Sequence, residues 1–171
     1  MHILAQFPLT LEATIRPSRS DDLERLEWFG MFAAHRRILQ ETYQAQRRGD
    51  GLMLVCELNG FPVGQVWLRF AGHPPGTGLI WALRVLEPLR GIGLGSRLIA
   101  AAEAALLRSG CRRAEIGVEK DNPAARRLYE RLGYTMDHEV TERQRSITPD
   151  GQFETQLIDQ WILAKPLVSR I

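Results

Sequence analysis

The stretch Arg90-Gly91-Ile92-Gly93-Leu94-Gly95-Ser96 has the composition of an anion cradle. Glycines let the backbone approach a ligand closely and adopt positive φ. The residues that follow repeat at helical spacing, so the stretch opens a helix whose first N–H groups lack internal acceptors. A phosphate or pyrophosphate fits such an end by charge and hydrogen bonding. Two other phosphate signatures fail on spacing. A dinucleotide fingerprint, G-x-G-x-x-G, needs a glycine where Ser96 stands. A P-loop needs Gly-Lys-Ser/Thr, and no lysine occurs here. Taken alone, the stretch also reads as a tight strand-to-helix turn that binds nothing.

A second constellation runs from Ile116 to Tyr134. Asn122-Pro123 starts a helix, with Asn as the N-cap and Pro at the first helical position. Ala125, Leu128, Tyr129 and Leu132 share one helical face, and Gly133 closes it. Singly, these residues read as a cap, a core aromatic and a helix stop.

The elements that must position these residues follow from period and punctuation. Strands are expected over 13–16, 52–57, 63–70, 79–85, 113–118, 134–140 and 153–164. Helices are expected from Ser20-Asp21-Asp22, over 31–48 after a break or bend at Gly30, from Leu94 to a stop at Gly110, and from Asn122 to Gly133. Asn59-Gly60 is a hairpin turn, because both residues tolerate positive φ. A second turn is expected at Pro149-Asp150-Gly151. The order β-α-α-β-β-β-α-β-α-β-β places antiparallel hairpins around one β-α-β unit. That is an α+β fold, a mixed and mostly antiparallel sheet of about seven strands flanked by about four helices.

A chain of 171 residues fits one domain, 1–171, with 1–12 as an N-terminal extension. At 44% hydrophobic and 25% charged, it excludes disordered, collagenous and disulfide-scaffold classes. No apolar run approaches the ~18 residues of a membrane span, and no signal peptide is evident, so no membrane partner is expected. A net charge of +2 is too balanced to make nucleic acid the main partner. All but two of the 22 basic residues, Lys120 and Lys165, are arginine, a bias of composition rather than of function. Cys56 and Cys111 lack metal-site spacing, so no metal is expected, and a reduced cytoplasmic compartment fits.

Arg90-x-x-Gly93-x-Gly95, followed by Ile116-x-Val118, Asn122, Ala125, Leu128-Tyr129 and Gly133-Tyr134, resembles the GCN5-related N-acetyltransferase (GNAT) superfamily. The element order from Ala13 to Ala164 fits as well. The resemblance implies transfer of acetyl from acetyl-CoA to an amine by direct attack. It places the pyrophosphate on the amides between Arg90 and Ser96, with Gly91, Gly93 and Gly95 in that loop. It puts pantetheine in a gap where the 79–85 and 113–118 strands splay, with Asn122 bonding its arm. A bulge near Val85 would present a main-chain N–H to the thioester carbonyl, and Tyr129 would protonate the leaving thiolate. Arg90 is the best basic partner for the cofactor, ahead of Arg126, Arg127 and Arg131, which read as a solvated face.

The acceptor amine must lose a proton, and the 79–85 strand holds no carboxylate to take it. Glu57, Glu87, Glu119, His73 and water remain candidates. Substrate choice is expected from 21–48, with Trp28, Phe29, Phe32, His35 and Tyr43, and from the 141–153 hairpin. The resemblance implies an acceptor that is a primary amine of a small molecule or peptide. An acetyl-CoA sensor or partner subunit without turnover is the alternative, and a homodimer through the final strands is compatible with the resemblance.

Overall fold

The structure is a computed structural model and describes residues 4–8, 10–71, 74–148, 150 and 152–168. Seven strands form one sheet: β1 (Ala13–Pro17), β2 (Gly51–Leu58), β3 (Phe61–Arg69), β4 (Thr77–Val85), β5 (Arg113–Glu119), β6 (Thr135–Ile147) and β7 (Phe153–Pro166). Four α-helices accompany them: α1 (Asp22–Arg25), α2 (Arg36–Arg48), α3 (Leu94–Arg108) and α4 (Pro123–Arg131). The sheet order is β1-β2-β3-β4-β5-β7-β6. Among the described residues only β4 and β5 pair in parallel, with α3 as the crossover between them; every other described pair is antiparallel. This is the mixed α+β architecture that the order of elements predicts.

Local chemistry explains the elements nearest the site. Asn59 and Gly60 both take positive φ, 48° and 77°, which matches the twist of the β2–β3 hairpin. Asn122 caps α4, its side chain accepting from the Ala125 N–H at 3.1 Å. The predicted turn at Pro149-Asp150-Gly151 has two of its residues, Pro149 and Gly151, outside the described residues. The strands flanking it are longer than periodicity alone indicates, because β6 and β7 pair continuously from Thr135↔Ala164 to Ile147↔Phe153 with one irregularity.

The 20–48 region differs most from the sequence expectation. Ser20 caps nothing: α1 begins at Asp22, is four residues long, and has no side-chain cap. The second helix starts at Arg36, after a 3₁₀ turn over Ala33–His35. Trp28, Phe29 and Gly30 all take positive φ (43°, 60° and 90°), which no continuous helix permits. A tertiary contact holds this kink. The Trp28 indole is buried, 2% exposed, and its Nε1–H donates to the Pro62 carbonyl at 2.8 Å.

The core has two parts, one on each face of the sheet. Leu94, Leu98, Ile99, Ala102 and Leu106 of α3 and Tyr129 of α4 pack with Val66, Leu68, Ile80, Ile116 and Val118 on one face. Leu26 and Leu39 pack with Met53, Val55 and Trp67 on the other. Helix α3 seats closely on β4 at Gly78, where an added Cβ would lie 2.3 Å from Leu106 Cδ2. Leu106 is fully buried and has little room to yield. Gly78→Ala is therefore expected to cost about 1–3 kcal/mol, the scale of overpacking. Urea unfolding monitored by circular dichroism checks this, and an unchanged midpoint would disprove the tight seat.

Candidate functional site

The sheet splits between β4 and β5. Their pairing runs from Thr77↔Arg113 to Ile80↔Ile116 and stops there, although β4 continues to Val85 and β5 to Glu119. Beyond that point β5 stays with β7, and β4 stays with β3. The cause is a bulge in β4. Trp81 faces Trp67 and Arg84 faces Gln65, so three steps along β4 match two along β3. Ala82 takes φ 51°, and the extra residue bends and twists its strand away from β5. The bulge lies near Val85, three residues before it, and Val85 itself is in regular register with Gly64. Alanine adopts a left-handed conformation at less cost than a β-branched valine.

Val85 nevertheless presents its backbone to the gap. Leu86 N–H donates to Val63 O at 2.8 Å, which makes 63:86 and 65:84 the hydrogen-bonded pairs of the ladder. The intervening Val85 N–H and C=O therefore point away from β3, towards the side that β5 has left. Arg90 Nε donates to the Val85 carbonyl at 3.0 Å. The Val85 N–H faces the gap.

The glycine loop closes the same end. Gly91 and Gly93 take φ 81° and 91°, and an added Cβ at either would meet nothing within 4 Å. Space is therefore open where their side chains would stand. The first helical bond of α3 runs from Arg97 N–H to Gly93 O, so Leu94, Gly95 and Ser96 have no helical acceptor. Among the described residues, the Gly91, Ile92 and Gly93 amides have no acceptor either. Six successive N–H groups are thus available, at a helix end that favours negative charge.

Helix α4 meets this loop. A Cβ on Gly95 would stand 3.7 Å from Leu128 Cδ2 and 3.9 Å from Leu83 Cδ2, so α3, α4 and the bulged part of β4 converge there. Asn122 is exposed and commits only Oδ1 to its cap, leaving Nδ2 free among the described residues. Tyr129 is 6% exposed, and burial pushes its phenol up to about 12. It lies edge-on to Tyr134, with ring centroids 6.2 Å apart. Open N–H groups, a free amide donor and a gap through the sheet fit an acyl-CoA: phosphates on the loop, the arm beside Asn122 and a thioester at the gap. Arg126 is engaged elsewhere, with Glu130 at 2.8 Å and over the Trp161 ring at 4.2 Å.

The candidate bases are dispersed. Glu57 is held by Arg16, whose Nε donates to it at 2.8 Å, in a network at the β1–β2 edge of the sheet. Glu87 is exposed in a 3₁₀ turn before the loop, and Glu119 is exposed at the end of β5. His73 lies outside the described residues.

Sequence reasoning passed over Arg84 and Gln65, which the structure sets side by side next to the bulge. The available signal was an arginine inside an otherwise apolar strand.

Comparison with known proteins gives the family and the fold. The model of the acetyltransferase (GNAT) family matches residues 20–134. The chain belongs to that family. An acetyltransferase from Yersinia pestis (strain Pestoides F) is 35% identical over 96 residues, 56% of this chain and 66% of that relative, just under two thirds of its length. An N-acetyltransferase of Staphylococcus aureus Mu50 superposes with TM-score 0.73 at 17% identity, covering 92% of this chain and 99% of the other. The yncA protein of Salmonella typhimurium, solved with its cofactor acetyl-CoA, superposes with TM-score 0.71 at 20% identity, covering 94% and 96%. At these identities the two structures establish the shared fold.

Proposed function

We propose that this protein transfers an acetyl group from acetyl-CoA to a primary amine of a small molecule or peptide, by direct attack. The observation that carries this reading is the split between β4 and β5 beside six open amides at the start of α3. Acetyl-CoA supplies the acetyl group as a thioester. The amides of Gly91 to Ser96 take its pyrophosphate, Asn122 Nδ2 donates to its arm, and Arg90 stands beside the loop. The Val85 N–H donates to the carbonyl oxygen, on which negative charge grows in the transition state. The acceptor nitrogen bonds to the carbonyl carbon as the carbon–sulfur bond breaks. The nitrogen's proton leaves to water, because no free carboxylate lies on β4. The departing sulfur takes a hydrogen bond from the Tyr129 hydroxyl.

The test is acetyl-CoA-dependent thiol release across polyamines, amino acids, aminoglycosides and short peptides with free N-termini. Release with one class supports the reading and names the acceptor. The lack of a carboxylate on β4 favours a second reading, a sensor that binds acetyl-CoA without turnover. Calorimetric binding without thiol release is its signature.

The loop gives a separate prediction. Gly93→Val forces a β-branched residue to φ 91° and is expected to cost about 1–3 kcal/mol of local strain. Acetyl-CoA affinity should fall roughly 5- to 100-fold, since each 1.4 kcal/mol is tenfold. Isothermal titration calorimetry reads this, and an unchanged Kd would remove the loop from the binding site.

A further inference from the structure

We propose that Arg84 recognises the acceptor, and that it selects an amine bearing a free carboxylate, such as an amino acid. The inference rests on the acetyltransferase reading above and specifies its substrate.

The argument starts from which way Arg84 points. Leu83 and Val85 pack against the core beneath α3 and α4, and side chains alternate along a strand. Arg84 therefore projects from the opposite face, immediately beside the gap. There its guanidinium carbon lies 4.5 Å from the centroid of the Phe32 ring. Phe32 is edge-on to His35, with centroids 5.3 Å apart, and to Trp28 at 5.4 Å. The Arg84 side chain is half-buried, and burial pushes its pKa down. Yet it has no ion pair and no side-chain hydrogen bond among the described residues. The buried acid of the α1 region, Glu27, is held by Arg36 at 2.6 and 2.8 Å.

A desolvated guanidinium over one aromatic ring has five N–H donors and no anion. Buried charges in folded proteins are ordinarily paired. Its surroundings repeat the pattern. Gln65, the cross-strand partner of Arg84, is 2% exposed and its Oε1 has no hydrogen-bond partner. The buried His35 Nδ1 also lacks one. Burial, then the charge of Arg84, holds the His35 imidazole below its usual range, so it supplies no positive charge at neutral pH. The cluster thus has one fixed cation and uncharged acceptors. A planar carboxylate fits the guanidinium fork through two parallel hydrogen bonds. The position beside the gap would leave an amine on the same small molecule close to the Val85 amide.

The test compares thiol release from amino acids, their carboxamides and the corresponding decarboxylated amines, using wild type, Arg84→Met and Arg84→Lys. Wild type is expected to favour free acids over carboxamides by on the order of 10²-fold in kcat/KM, the scale of truncating a hydrogen-bonded charge pair. Arg84→Met should lose that preference through a rise in KM for the acid that exceeds any for the carboxamide. Arg84→Lys should keep part of it, because it retains charge without the fork. Equal rates for acid and carboxamide in wild type would overturn the proposal without use of any variant. So would an acid preference that survives in Arg84→Met. Turnover confined to amines without a carboxylate would overturn this inference alone. Absence of thiol release with every amine would overturn the acetyltransferase reading as well.

Discussion

Replacing Asp22 by alanine is expected to destabilise the fold by about 3–5 kcal/mol, the cost of removing one partner of a buried ion pair. Asp22 is fully buried. Arg16 forks onto both of its oxygens, at 2.7 and 2.9 Å, and the Arg19 amide donates to it at 2.7 Å. Arg16 also donates to Glu57, so one guanidinium joins β1, α1 and β2. Loss of Asp22 leaves that guanidinium with half its partners and an unbonded amide. For a chain of this size each kcal/mol shifts Tm by about 2–4 °C, so a fall of roughly 6–20 °C should appear in thermal unfolding. The pH dependence has a fixed sign. Burial alone would raise the Asp22 carboxyl, but the Arg16 hydrogen bonds and the Arg19 amide outweigh it and hold it below 3.8. As pH falls, the unfolded chain takes up this proton first. The stabilisation is therefore complete above the ordinary aspartate value of about 3.9 and is lost as pH falls through the folded value. The gap in stability between wild type and Asp22→Ala should narrow below about pH 4. A constant gap down to pH 3, or a gap under about 1 kcal/mol at pH 7, would show that the network is a surface feature.

What could be read from sequence depended on whether its cause was local. Asn59-Gly60, Asn122-Pro123 and the glycines of the 90–96 loop act through their own backbone freedom or their own side chains. The hairpin, the α4 cap and the start of α3 were therefore legible. The kink at Trp28 and Phe29 is not local, because a bond to Pro62, across the hairpin, holds it. The sequence marks a break at Gly30, but not that Trp28 and Phe29 before it also leave the helix or that the second helix waits until Arg36. The bulge at Ala82 is of the same kind: a mismatch of register with β3, invisible along β4 itself. The resemblance put a bulge near Val85 without fixing its residue. That left Arg84 unread, since which face an arginine occupies depends on where the strand gains its extra residue. Asp22 looked like a helix-start acid because composition cannot show that Arg16 folds over it. The site was thus legible in its cofactor half, built from backbone and glycine, and illegible in its acceptor half, built from contacts between distant segments.

Tyr129→Phe is expected to lower kcat by about 10- to 10³-fold while leaving acetyl-CoA affinity and stability nearly unchanged. The substitution removes one oxygen and keeps the ring in the core, so packing against Tyr134 survives. The size of the effect follows from proton affinities. Burial pushes the Tyr129 phenol up to about 12, whereas a thiol ionises near 8.5. Complete proton transfer to the departing sulfur is then uphill by about 3–4 pKa units, roughly 5 kcal/mol. Tyr129 therefore acts mainly as a hydrogen-bond donor to charge growing on sulfur. That lowers the barrier without making the thiolate's departure depend on transfer. The same shift keeps the hydroxyl protonated throughout the working range. Wild-type kcat should show no loss from phenol ionisation up to about pH 10, and kcat/KM should rise with pH as more of the acceptor amine becomes neutral. A falling limb near pH 9 that vanishes in Tyr129→Phe would mean a far more acidic phenol than its burial allows. Unchanged turnover in the Phe variant, with a good acceptor and chemistry shown to be rate-limiting by single-turnover kinetics, would remove Tyr129 from the reaction. Loss of the alkylammonium proton and protonation of the sulfur run through solvent in either case, so what that result removes is the hydrogen bond to the departing sulfur.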